Sequence, residues 1–120
     1  MPRIQQKQIE PDIVLLEISG RITLGRDCED VVWAVDDLIR GSRKKIVFDL
    51  SGLEYVDSMG IGVIVMSYGK IRAAGGELRL ASLQPRIAEL MTTTKLDQIW
   101  RFYPTAAAAV EDFGLDVSGV

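Results

Sequence analysis

In the run VDSMGIGVIVM, from Val56 to Met66, Asp57, Ser58, Gly60 and Gly62 are the residues whose types and spacing bear on chemistry. Asp and Ser are preferred helix-capping residues, and the apolar positions that follow take up helical spacing. Ile61, Ile64, Val65, Tyr68 and Ile71 fall on one stripe, so Ser58 sits where a helix begins. The first turn of a helix leaves backbone N–H groups unpaired and carries a partial positive charge, so an anion placed there is stabilised. Glycine inside a helix costs roughly 1 kcal/mol relative to alanine, and local propensity therefore does not explain Gly60 and Gly62. They leave the first turn without bulk. One reading is a hydroxyl displayed for modification or docking; the other is a plain cap, with the glycines packed against a neighbouring strand. Spacing alone favours the cap.

The opposite side of the same helix shifts the balance. Met59, Val63 and Met66 line up there at i, i+4 and i+7, where a solvent-facing helix normally carries polar groups. A second apolar stripe with two adaptable Met side chains suggests a surface that meets another protein. The alternative is a further layer of the same domain, such as the C-terminal helix, lying over that face.

Composition removes several classes of chemistry. The chain has no histidine, which eliminates Ser-His and Cys-His nucleophilic systems and most zinc sites. Its single cysteine, Cys28, cannot form an internal disulfide and falls on an apolar helix stripe, where an inert core thiol is expected. Glycine loops of the nucleotide- or dinucleotide-binding kind are absent, and the carboxylates are scattered without a convincing acid–base pair. No enzyme, cofactor or metal is expected. A net charge of −3 argues against nucleic acid as a direct partner. No stretch resembles a signal peptide or approaches the roughly 20 apolar residues of a membrane span, so a cytoplasmic protein is expected.

At 120 residues the chain has the length of one domain, 1–120, with a frayed tail expected from about 114. Ile4 to Ile9 and Ile13 to Ile18 read as strands joined by a turn at Pro11-Asp12, and Gly20-Arg21 as the end of the second. Residues 26 to 40 carry a helical stripe (Cys28, Val31, Val32, Val35, Leu38, Ile39) opposite Glu29, Asp30, Asp36 and Asp37. Trp33 falls among these acids; lying along a neighbouring element is favoured over marking a contact surface. A buried strand over 46 to 50, a helix over 58 to 74 stopped by Gly75-Gly76, and a strand over 77 to 81 form a βαβ unit with parallel strands. Pro85 opens a further helix, 99 to 103 reads as a short last strand, and Thr105 caps a final helix over 106 to 113. The fold class is α/β: a compact sandwich in which helices cover a small mixed sheet.

With these residues in view, the chain resembles the STAS domain, and within it the stand-alone bacterial anti-sigma factor antagonists. The resemblance covers nearly the whole chain and is most specific in IVFDLSGLEYVDSMGIGVI, supported by GGELRLASLQPRIAELMTTTKLDQIW. It implies a STAS-type sandwich with the helices packed mainly on one face. It further implies that Ser58, preceded by Asp57 and followed by Gly60, is a phosphoacceptor, with Met59 standing where a small residue is commoner. Asp57, Met59, Gly60, Gly62, Val63 and Met66 become the expected partner surface. The implied partners are an anti-sigma factor that is itself a serine kinase, captured by the unphosphorylated antagonist so that a sigma factor is released, and a metal-dependent serine phosphatase that resets the switch. Two other readings remain open: a STAS subunit of a larger lipid-transport or sensory assembly, and a nucleotide- or small-ligand-binding module that uses the helix N-terminus as an anion site.

Overall fold

A computed structural model describes residues 3–10, 12–98, 100 and 102–118. The chain opens with β1 (Arg3–Glu10) and β2 (Ile13–Ile22), paired antiparallel from Arg3↔Ser19 to Glu10↔Ile13. Every other pairing in the sheet is parallel: β2 with β3 (Lys45–Asp49), β3 with β5 (Glu77–Ala81), and β5 with β6 (Phe102–Tyr103). A sixth strand, β4 (Leu53–Val56), lies outside the order β1-β2-β3-β5-β6 and pairs with the far end of β2. The βαβ expectation therefore holds, with β3 and β5 as parallel neighbours.

Alternation along the strands sorts side chains onto two faces. Val14, Leu16, Ile18, Phe48 and Leu80 build the larger core, covered by α1 (Arg26–Arg40), α2 (Ser58–Ala73) and α3 (Pro85–Thr93). Ile13, Leu15, Val47 and Ala81 face the other way and meet Ala109 and Phe113 of α4 (Ala106–Ser118). Three helices on one face and one on the other make the expected sandwich, with helices packed mainly on one side.

The differences from expectation have local causes. Gly20 does not end β2; with φ of 90° it sits at a register shift, and the strand resumes through Arg21 and Ile22. Between the strand and helix of the βαβ unit lies an unforeseen strand, β4, of only four residues, whose ends, Leu53 and Val56, point inward. Of the last strand, expected over 99 to 103, Phe102 and Tyr103 form β6 and Trp100 is a buried core residue, edge-on to Tyr68 at 5.6 Å, while Ile99 and Arg101 lie outside the described residues. The tail expected from 114 is helical as far as Ser118, since a lone Gly114 does not stop a helix that nothing else terminates. Residues 119 and 120 lie outside the described residues.

The phase of α2 also differs. Its buried side is Gly60, Val63, Ile64, Ser67 and Ile71, so Val63 faces the core and Val65 faces out, the reverse of the expectation. Apolar residues and glycines occupy nearly the whole circumference, leaving no polar stripe to mark the solvent side. Ser67 enters the core because its hydroxyl donates to the Val63 carbonyl at 2.8 Å.

Candidate functional site

The site is assembled where β2 and β4 deliver their ends side by side. Ile22 pairs with Val56, and the Ile22 carbonyl accepts from the Asp57 N–H at 3.3 Å. Asp57 then caps α2 in an extended conformation, with Oδ1 accepting from the Gly60 N–H at 2.8 Å. Its other oxygen, Oδ2, accepts from the Leu24 N–H at 3.0 Å, in the loop between β2 and α1. One carboxylate thus ties the first turn of α2 to the loop between β2 and α1. The bonds from Leu24 and Gly60 favour the ionised form, in that order, and hold the Asp57 carboxyl below its ordinary value. That loop has a second fastener: Asp27 Oδ2 accepts from both the Thr23 N–H (3.1 Å) and the Thr23 hydroxyl (2.7 Å), and the latter bond is the main cause of its lowered pKa.

Ser58, the first residue of α2, is exposed at the positively polarised end of the helix. The glycines that follow it divide in role. Gly60 is buried, and a Cβ there would collide with the Ile22 carbonyl and a Val56 methyl. The space it leaves is therefore filled by β2 and β4, not by an incoming molecule, which corrects its assignment to the partner surface. Gly62 is exposed, and a Cβ built there meets nothing within 4 Å. Val63, also assigned to that surface, is only 7% exposed and packs in the core. Asp57 has both oxygens bonded to backbone N–H groups, which fixes the start of α2, where Ser58 stands, beside Leu24.

Met59 and Met66 do lie outside, at 50% and 43% exposure, and Val65 joins them. Sequence reasoning missed Leu24, which is 71% exposed and held next to Asp57 by its own N–H. Nothing in the spacing around Leu24 signals this, because the contact arises from strand pairing. The C-terminal helix does not cover the stripe, since α4 packs against β3, β5 and β6 on the other face of the sheet. No helix among the described residues is long and apolar enough to cross a membrane.

The family model described as the STAS domain matches residues 5–109, from β1 into α4. The chain belongs to the STAS domain family. Two STAS relatives illustrate the similarity. A putative anti-sigma factor antagonist from Thermotoga neapolitana is 29% identical over 105 residues, covering 88% of this chain and 93% of that protein. The anti-sigma F factor antagonist of Paenibacillus polymyxa is 28% identical over 102 residues, covering 83% of this chain and 86% of that protein. Among solved structures, the crystal structure of a putative anti-sigma factor antagonist from Thermotoga maritima superposes with a TM-score of 0.82 at 28% identity, covering 91% of this chain and 92% of that one. The Bacillus cell fate determinant SpoIIAA in its phosphorylated form shares the fold, with a TM-score of 0.74 at 17% identity over 92% and 99% of the two chains.

What this STAS domain offers chemically follows from its geometry. The Ser58 hydroxyl stands beside an ionised carboxylate that is already bound to two N–H donors, so Asp57 is a stiff neighbour and not a free base. A phosphate on Ser58 would add about −1.5 to −2 charges to an exposed end that favours anions. Cys28, in the STAS core beneath, has its thiol pushed up chiefly by burial, consistent with an inert packing residue.

Proposed function

We propose that the protein is an anti-sigma factor antagonist that works by partner switching. In the unphosphorylated state the end of α2, with Ser58, Met59, Gly62 and Met66, captures an anti-sigma factor that is a serine kinase, so that a sigma factor is released. The kinase closes the cycle by phosphorylating Ser58, and a metal-dependent serine phosphatase restores the hydroxyl. The observation that carries this reading is the exposed Ser58 at a helix start fixed from both sides by Asp57, in a chain similar over most of its length to proteins described as anti-sigma factor antagonists. The cytoplasm is the compartment such a cycle requires.

The switch works at the contact surface and not through unfolding. A helix N-terminus tolerates a phosphate, with stabilisation of about 0.3–1 kcal/mol for an anion at such a position. A partner shaped around a neutral hydroxyl would have to bury that charge unpaired beside ionised Asp57, at a cost of several kcal/mol. A tenfold loss of affinity needs only about 1.4 kcal/mol. The test is incubation with a candidate anti-sigma kinase from the same organism and ATP, followed by mapping of phosphate by mass spectrometry. Phosphate is expected on Ser58, with Ser58→Ala unmodified and Ser58→Asp unable to bind the kinase. A kinase that binds the chain yet leaves Ser58 unmodified would show that the switch reading is wrong.

A further inference from the structure

Trp33 is 69% exposed on α1, so it does not lie along a neighbouring element as its sequence context suggested. Its helical neighbours one turn away on either side are Glu29, Asp30, Asp36 and Asp37, all carboxylates. Asp36 is held by Lys70 of α2 at 3.0 Å, and Asp37 has only an exposed contact with Arg40 at 3.5 Å. An exposed indole with carboxylates at i±3 and i±4 on its own helix suits a cation: the ring attracts an ammonium or guanidinium through its quadrupole, and the acids pair with it.

The same ion pair locates Trp33 relative to the Ser58 end. Both α1 and α2 follow mutually parallel strands, β2 and β4, and Lys70–Asp36 sets them side by side. Met66 lies one turn before Lys70 and Trp33 one turn before Asp36, so the two share a level, with Met59 and Leu24 toward the N-terminal ends. The first three turns of α2 carry no charged side chain, whereas α1 carries five carboxylates and two guanidiniums.

We propose that Trp33 is a second anchor of the partner surface, an aromatic platform that receives a lysine or arginine side chain of the protein that docks on Ser58. This rests on the reading of the α2 end as that protein's docking site. The charge pattern selects the occupant. A second copy joined symmetrically through this face would set carboxylates against carboxylates, and an anionic membrane would be repelled. A protein with a neutral apolar recess for the α2 residues and a basic rim over α1 complements both parts.

The test measures affinity of the full chain for the purified anti-sigma kinase, using Trp33→Ala, Trp33→Phe and the pair Glu29→Gln/Asp30→Asn, with Ser58→Asp alongside. Trp33→Ala should weaken binding at least tenfold with the melting temperature unchanged, and Trp33→Phe should retain most of the affinity. The carboxamide pair should bind a few-fold more weakly and lower the salt dependence of association. If Trp33→Ala binds within twofold of wild type while Ser58→Asp abolishes binding, the anchor is wrong and the Ser58 site stands. If the wild-type chain does not bind the kinase, or Ser58→Asp leaves binding intact, the Ser58 reading fails and the anchor with it. Self-association of the wild-type chain that Trp33→Ala removes would make a second copy the occupant and overturn the proposal.

Discussion

At the scale of single residues, the two glycines after Ser58 behave as opposites. Gly60→Ala forces a methyl against a backbone carbonyl that cannot move away, and a destabilisation of about 1–3 kcal/mol is expected in chemical denaturation. Gly62→Ala meets open space and should stabilise by roughly 0.5–1 kcal/mol, because alanine is the better helix former. If a partner approaches the first turn closely, that same more stable variant should bind its kinase more weakly. A Gly62→Ala protein with undiminished affinity would remove Gly62 from the surface. Asp57 carries a pH signature with a definite sign. Its folded pKa lies below the ordinary value of 3.8, so the stability it contributes is complete above that value and is lost as pH falls through the lower folded one. Asn also caps helices, so the stability gap between wild type and Asp57→Asn should be widest above about pH 4 and close progressively in more acidic solution. An acid titration of both proteins by circular dichroism checks this.

At the scale of elements, what the sequence showed depended on how sharply each element separates its faces. The bounds of α1 and β5 were legible because α1 opposes an apolar stripe to four carboxylates, Glu29, Asp30, Asp36 and Asp37, and β5 is a short run closed in front by Gly75-Gly76. The existence of α2 was legible from its capping pair and glycine stop, but its rotation was not, because apolar residues run round the whole helix. Val63 and Val65 accordingly exchange places, and of the two readings open for the glycines Gly60 follows the one that packs it against neighbouring strands, β2 and β4, not the partner surface that the resemblance implies. The start of the helix at Ser58 is a local property of Asp57 and was read correctly. The link from Asp57 to Leu24 spans 33 positions and could not be seen without the pairing of β4 along β2. Because a phosphate suits that helix end, phosphorylated protein should melt no lower than the unmodified form while losing its partner. A markedly lower melting temperature would point to unfolding as the off state.

At the scale of the whole molecule, the two faces of the sheet are held by different means. The face under α1, α2 and α3 is a large apolar core, whereas α4 is attached through a small cluster and one buried guanidinium. Arg79, 7% exposed, pairs with Asp112 at 3.0 Å and lies over the Phe113 ring at 3.7 Å, and Asp112 also accepts from the Tyr103 hydroxyl. Asp112→Ala leaves that guanidinium without its carboxylate and should cost about 2–4 kcal/mol, whereas Arg79→Met with Asp112→Ala should recover part of the loss. Additive costs in that cycle would mean the pair is not coupled. The sequence indicated an apolar α4 and a mixed sheet but not this pairing, which joins positions brought together only by the parallel alignment of β5 and β6. The seclusion of Cys28 has a practical corollary for measurement. As the chain's one thiol is buried and its ionisation suppressed, a cysteine introduced at exposed Glu111 on α4 would take up a maleimide dye almost alone. The reporter would ride on the sheet's far side, and capture and release at Ser58 could be followed optically without an obstruction in the way.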